Sequence, residues 1–305
     1  MKYAYFPGCS IHASAKEYAM SANAVNKHLD VEFVEIPDWN CCGAIDAVYA
    51  YNPLLSVSLS ARNLALAENM KMDIVTLCSA CFFTLSRAGN FMKENADLKG
   101  KVDKAINDAG LKYQGGVKVR HYMDILANDV GFDKIRQQVK VPLKGLKIAP
   151  YYGCLIVRPT GIQKFDDPEH PVSMDKVIEA LGAEAVNYPD KTSCCGASLV
   201  ITDEEVMMEM TKQPLVSAKN AQADCIVTPC PMCHFNLDAK QKDVESHFDI
   251  NLGIPVLYIT QLIGLAFGIP PKELGLHRNI VSPDRLLEKL KETSQNSKPI
   301  HKTAN

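Results

Sequence analysis

Ten of the eleven cysteines fall into one pattern that is written twice. The first set is Cys9, the vicinal pair Cys41 and Cys42, and the Cys-x-x-Cys of Cys78 and Cys81. The second is Cys154, then Cys194 and Cys195, then Cys230 and Cys233. Cysteine thiolates select soft metals: zinc, copper(I) and iron–sulfur clusters. A structural zinc ion takes four ligands, one fewer than either set offers. Adjacent cysteines diverge, so they chelate one ion poorly and suit neighbouring ions or a bridging thiolate in a polynuclear body. Gly43 and Gly196 follow the pairs and allow tight backbone beside such a body. Both lead into helix-like segments whose N-termini would favour negative charge. Thr228 to Cys233 sits where a strand meets a helix, as a dithiol-exchange motif does. Yet Cys78 and Cys81 hold the same place in the first set, and each pair has three further cysteines. Zinc and dithiol exchange therefore stand as alternatives behind iron–sulfur chemistry. Cys225 has no counterpart, since Asp73 takes the matching position. It opens an apolar run and reads as a small buried hydrophobe.

The elements that must position these thiols are themselves duplicated. Tyr5 to Cys9 matches Tyr151 to Cys154, and Val31 to Pro37 matches Ala183 to Pro189. Asp73 to Cys78 matches Cys225 to Cys230, and Val119 to Leu126 matches Val256 to Ile263. Four matches in order mark an internal repeat. Short apolar runs (Lys2–Phe6, Val31–Ile36, Ile74–Leu77, Val117–His121) read as buried strands, and Ala13–His28 and Leu54–Met70 as helices. The predicted fold is α/β: two pseudo-twofold-related repeats, each a small parallel sheet with flanking helices. Ligands of such sheets sit at the carboxyl ends of the strands, where Cys9, Cys78, Cys154 and Cys230 fall. The thiol sets are therefore expected at the strand ends, near the repeat interface. The expected organisation is residues 1–143 for the first repeat, 144–270 for the second and 271–305 for a C-terminal helix and disordered tail, with a linker near Gly131–Gly145. The first repeat carries extra residues around Asn90–Gly115, read as an added helix. The second carries them near Arg158–Val172, read as either a tolerated surface loop or a flap over a site.

The chain has 305 residues, is 47% hydrophobic and has a formal net charge of -2. That is enough for packed cores and argues against a non-specific nucleic-acid binder. The apolar stretch from Val256 to Ile269 is too short to span a bilayer, and the first residues lack an apolar leader segment. A cytoplasmic protein without membrane insertion is expected, in a compartment where cysteines stay reduced. No phosphate loop, GxGxxG or Ser-His-Asp set is visible, so no nucleotide or flavin is expected in this chain.

The pattern C…CCG…CxxC, twice, resembles the cysteine-rich CCG domain family. The wording of Tyr5 to Ser10, Cys41 to Ala44, Tyr151 to Cys154, Arg158-Pro159, Cys194 to Ser198 and Pro229 to Cys233 is similar to the B subunits of methanogen heterodisulfide reductases, over about residues 1–270. The CCG motif also occurs in glycolate and lactate oxidases, fumarate reductases and quinone-linked complexes, often fused to a ferredoxin domain that is absent here. The resemblance implies two noncubane [4Fe-4S] clusters, one per set of five cysteines. It implies reduction of the coenzyme M–coenzyme B heterodisulfide to two thiols. Electrons would come from a C subunit with cubane clusters and a flavin-bearing A subunit, with a hydrogenase or formate dehydrogenase upstream. Two clusters facing one cavity would each capture one sulfur of the substrate. The alternative is an electron-transfer subunit of another CCG complex, linked to quinone, a hydroxy acid or fumarate. An anionic substrate calls for basic contacts, for which Arg158 and Lys191 are candidates. Product thiolates need protons, for which His12 and His234 are candidates.

Overall fold

A computed structural model of the chain describes residues 1–44 and 46–296. In the first repeat β1 (Lys2–Phe6) is followed by α1 (Gly8–His12), α2 (Lys16–Leu29), β2 (Glu32–Glu35), α3 (Asp46–Tyr51) and α4 (Pro53–Met70). Next come β3 (Ile74–Thr76), α5 (Ser79–Glu94), α6 (Ala96–Asn107) and β4 (Val119–His121). One turn, α7 (Tyr122–Asp124), and α8 (Phe132–Gln137) lead to the second repeat. That repeat runs β5 (Lys147–Pro150), α9 (Ser173–Ala180), β6 (Glu184–Ala185), α10 (Glu204–Asn220), β7 (Cys225–Thr228), α11 (Pro231–His234), α12 (Gln241–Phe248), β8 (Val256–Tyr258) and α13 (Ile259–Ala266). The last helix is α14 (Asp284–Asn296).

Each repeat forms a four-stranded sheet, in the orders β2-β1-β3-β4 and β6-β5-β7-β8. Every pairing is parallel, with Ala4 opposite Ile74 and Ile148 opposite Cys225 as matching registers. Parallel sheets are covered on both faces, so their strands read as unbroken apolar runs. The pleat then sorts alternate residues. Tyr3, Tyr5, Val75, Ile148, Val227 and Leu257 enter one core. Ala4, Phe6, Ile74, Ala149, Ile226 and Val256 enter the other. Both cores thus draw on both repeats. The repeats are joined most directly where α2 packs on α13. There the Ser21 and Thr260 hydroxyls lie 2.6 Å apart, and the Tyr18 and Tyr258 rings stack at 4.1 Å.

Local chemistry explains the element boundaries. Asn52 caps α4 by accepting from Leu55 N at 3.0 Å, with Pro53 at the first helical position. Asn95 caps α6, the added helix of the first repeat, in the same way. The helix expected from Ala13 begins at Lys16, because Gly8–His12 make a turn of their own. Ala13 N and Ala15 N both donate to Ser10 O and close that turn. The linker is packed rather than free. It contains α8, with Ile135 buried, and Lys140 N and Val141 N both donate to Ala266 O at 2.9 Å.

The segment beyond Pro270, which reads as an appendage, is likewise part of the body. Arg278 pairs with Glu17 of α2 at 3.3 Å. Ile280 N and Val281 N donate to the Asp238 carboxylate at 2.7 and 3.0 Å. Leu286 and Leu290 of α14 are buried in the first core. Helix α14 reaches Asn296; the tail expected beyond it lies outside the described residues. Gly275 shows how tightly this segment wraps α2. Its φ is +71°, and a Cβ there would lie 2.9 Å from the Glu17 Cα. Gly275→Ala should therefore cost about 1–3 kcal/mol of stability, seen as a lower urea midpoint. An unchanged midpoint would mean that residues 270–279 do not pack on α2.

Candidate metal centres

In a parallel sheet the connections after two neighbouring strands open a crevice where the strand order reverses. Here that point lies between β1 and β3, and again between β5 and β7. Cys9 follows β1 and Cys78 follows β3. Cys154 follows β5 and Cys230 follows β7. The vicinal pairs arrive on the loops after β2 and β6. The Cys42 and Cys81 sulfurs are 3.4 Å apart and those of Cys195 and Cys233 3.6 Å. Cys9 shares a hydrogen bond with Cys41, and Cys154 with Cys194. Cys78 bonds with Cys81 and Cys230 with Cys233, so the five thiols of each set form one chain of contacts.

The glycine before each leading cysteine is required by this packing. Gly8 and Gly153 have φ of +71° and +66°. A Cβ on them would lie 2.9 Å from Cys81 Sγ and 3.0 Å from Cys233 Sγ. The chain thus approaches the last sulfur of its own set as closely as backbone permits. The helix N-termini nearest the sulfurs differ from the expected ones. Helix α3 starts at Asp46, and Gly196 is followed by one 3-10 turn, Ala197–Leu199. It is α5 and α11 that begin directly at a thiol, just after Cys78 and Cys230.

The thiols compete for protons. Hydrogen bonds from Cys41 and Cys81 hold Cys42 well below the usual thiol range, and bonds from Cys233 and Cys78 do the same for Cys230. Their partners are pushed up: Cys81 and Cys233 chiefly by Cys42 and Cys195, and Cys78 by Cys230. Sulfurs crowded in this way ionise together only when a cation compensates them. Among the described residues no group of three or more His, Cys, Asp or Glu side chains is arranged to hold a metal ion. An all-thiol set in mutual contact, with a glycine cradle, fits a polynuclear sulfur-bound body. Cys9 is exposed, Cys41, Cys154 and Cys194 are half-buried, and the remaining members are buried.

Hydroxyls hold the vicinal pairs. Ser60 of α4 donates to Cys42 O at 2.7 Å. Thr211 of α10 donates to Cys195 O at 2.9 Å, joined there by Asn236 Nδ2 at 2.7 Å. Asn40 and Asn63 clasp the first turn through paired bonds of 3.0 and 2.9 Å. None of these was singled out from sequence. The signal was present, as a hydroxyl on the helix following each CCG, 18 and 16 positions beyond its second cysteine.

The two sets meet. The Cys78 thiol hydrogen-bonds with that of Cys230 across the repeats, and Tyr18 donates its hydroxyl to Pro229 O at 3.0 Å. His234 stacks on Tyr258 at 4.0 Å, with its Nε2 3.0 Å from Val256 O; burial pushes it down to about 4. His12 stands at the first rim, half-exposed, 3.5 Å from Glu35 and tilted on Trp39. Arg158 donates to Thr192 O, two residues before Cys194, and lies 3.9 Å from Glu169. Lys191 is bound to Asp175 at 2.5 Å, which also accepts from Tyr152 at 2.7 Å. A cleft of about 780 Å³ lined by Glu68, Lys71, Asp73 and Gly116 lies at the opposite, amino-terminal edge of the first sheet, away from the thiols.

A model of the cysteine-rich domain designated CCG matches residues 3–86 and 148–238. The chain is 36% identical to the 8-methylmenaquinol:fumarate reductase membrane anchor subunit of Wolinella succinogenes, over 93% of this chain and 99% of that one. It is 32% identical to the B subunit of the ferredoxin/F(420)H(2)-dependent CoB-CoM heterodisulfide reductase of Methanosarcina acetivorans, over 96% and 98%. A solved hypothetical protein from Helicobacter pylori superposes with a TM-score of 0.71 at 13% identity, covering 92% of this chain and 52% of that one, a likeness of fold alone. Among the described residues no helix is long and apolar enough to cross a membrane.

The hydroxyl supports differ in redundancy, which gives a test. Ser60→Ala leaves Cys42 O without its donor and should cost about 1–3 kcal/mol. Thr211→Val should cost less, because Asn236 still serves Cys195 O. Denaturant midpoints of the two variants check the order, and equal losses would contradict it.

Proposed function

The chain belongs to the cysteine-rich CCG domain family, and from that premise we propose that it is the B-type component of a heterodisulfide reductase, cleaving the coenzyme M–coenzyme B disulfide. Two noncubane [4Fe-4S] clusters are held by Cys9, Cys41, Cys42, Cys78 and Cys81 and by Cys154, Cys194, Cys195, Cys230 and Cys233. The observation that carries this reading is the contact between Cys78 and Cys230, which joins the two sets. Cleaving a disulfide takes two electrons and two protons, whereas bound iron–sulfur clusters supply electrons singly, so paired sites suit the reaction. The relatives named as heterodisulfide reductase B subunits support it at nearly full length.

This chain's own residues have the following roles in that reading. Ser60, Thr211 and Asn236 fix the vicinal pairs, and Gly8 and Gly153 let the leading loops close on the last sulfurs. Arg158, at the rim of the second set, binds the anionic groups of the substrate through its guanidinium. Lys191 supports that rim from its pairing with Asp175. His12, at the rim of the first set, hands a proton to a product thiolate. His234 is neutral and bound to a backbone carbonyl, and it braces Tyr258. Companion subunits with cubane clusters and flavin deliver the electrons.

A second reading has its own support. The 36% identity to a fumarate reductase subunit fits an electron-transfer subunit of a quinol-linked complex that never meets a disulfide. Anaerobically purified protein, reduced with a viologen dye, should consume the heterodisulfide. Iron-loaded protein that leaves it intact would favour the second reading. About eight iron per chain are expected, given four per cluster, and about four in a Cys194→Ser, Cys195→Ser variant. Arg158→Ala should raise KM for the disulfide roughly tenfold or more with cluster spectra unchanged. Unaltered kinetics would remove Arg158 from the site.

A further inference from the structure

Beyond the sulfur contacts, the segment after each Cys-x-x-Cys is tied to the vicinal-pair segment of its own set, and the two ties use different chemistry. In the second repeat Asn236, three positions after Cys233, donates to Cys195 O at 2.7 Å. Thr84 holds that place in the first repeat. There the turn is bonded from α4, with Ser60 donating to Cys42 O at 2.7 Å and Ser56 to Gly43 O at 2.9 Å. The link to α5 is made further along that helix. Arg87 lies over the Phe83 ring of α5 itself, at 4.9 Å, and over the Tyr49 ring of α3, at 3.9 Å. Phe83 is two positions after Cys81, and Tyr49 is seven after Cys42. The second repeat is built otherwise: Ala239 stands where Arg87 does, and the 3-10 turn Ala197–Leu199 follows its glycine.

A long helical side chain leans toward the N-terminus, onto the residue four before it. Arg87 therefore reaches back toward the end of α5 that carries Cys78 and Cys81. Arg87, Phe83 and Tyr49 are all half-buried, and a cation is drawn more strongly to a ring face as it loses water. Helix α3 depends on such help. It has only six residues, begins three after Gly43 and leaves Tyr51 92% exposed, and a helix of that length does not hold itself. We infer that Arg87 is a positioning residue for the first metal centre: it clasps α3 onto α5 and so keeps the Cys41–Cys42 turn closed against Cys78 and Cys81. Its effect is confined to the first set. The inference rests on the reading that the first five cysteines hold an iron–sulfur cluster.

The test is iron release from the full chain in two backgrounds. One carries Cys194→Ser and Cys195→Ser, so that only the first set can be loaded, and the other carries Cys41→Ser and Cys42→Ser for the reverse. Anaerobic, reduced protein is mixed with bathophenanthroline, and the iron(II) chelate is followed in time. Arg87→Ala should speed release about threefold to thirtyfold in the first background and leave the rate in the second unchanged. Arg87→Lys, which keeps a cation over the rings, should bring the rate part of the way back. An unchanged rate in the first background would overturn the assignment. So would an equal change in both, since a general brace of the fold acts on both sets. If Arg87→Ala does not fold, Tyr49→Leu removes the other half of the clasp and must show the same one-sided effect. Parent backgrounds that take up no iron would sink the iron–sulfur reading instead, so the two failures are distinguishable.

Discussion

Parallel strands carry all their carboxyl ends to one edge of the sheet, and that constraint organises everything else in the molecule. A thiol that follows β1 and a thiol that follows β3 must emerge side by side, whatever lies between them in sequence. The chain uses this to collect sulfurs from three separate loops, with no run of clustered cysteines. The same constraint dictates the glycines. Gly8 and Gly153 precede the leading cysteines because the loop after the first strand presses on the last sulfur of the set, where a Cβ would collide with Sγ. It also explains the hydroxyls of Ser60 and Thr211, which tie the backbone of each vicinal pair to the next helix.

The repetition makes the inner thiols meet. Two sheets of identical order are joined by packing α2 on α13, and both cores run through both halves. This places Cys78 against Cys230, while Cys9, Cys41, Cys154 and Cys194 face outward. Sites with an inner and an outer end suit electron entry at one and chemistry near the other. The halves are nevertheless unlike in chemically pointed places. One imidazole, His234, stacks on a tyrosine, and the other, His121, meets a phenylalanine edge-on. Arg158 and the loop that carries it have no counterpart in the first repeat.

Much of this was legible in the residues. The cysteine spacing and four matched segments were enough for paired parallel sheets with thiols at their ends, because buried parallel strands leave unmistakable apolar runs. Lys2–Phe6 was readable to the residue. What was hidden was long-range. The segment after Pro270 looks peripheral in sequence, since its contacts with Glu17, Asp224 and Asp238 are made by ordinary polar residues. His234 drew notice by its adjacency to Cys233, yet the ring turns toward Val256 O. Adjacency in sequence to a ligand gives no direction to a side chain.

The contact between Cys78 and Cys230 also bears on how the chain comes to be built. The five sulfurs of the first set lie within residues 9–81 and those of the second within 154–233, so each can be gathered by pairings inside one repeat. The inner contact joins positions 152 apart, and distant pairings form late because loop closure must precede them. During synthesis the first set is therefore complete while the second is still unmade. Its innermost sulfur remains uncovered until β7 arrives to close over it. In a chain that folds as it is made, the junction between the repeats is therefore the last part to close.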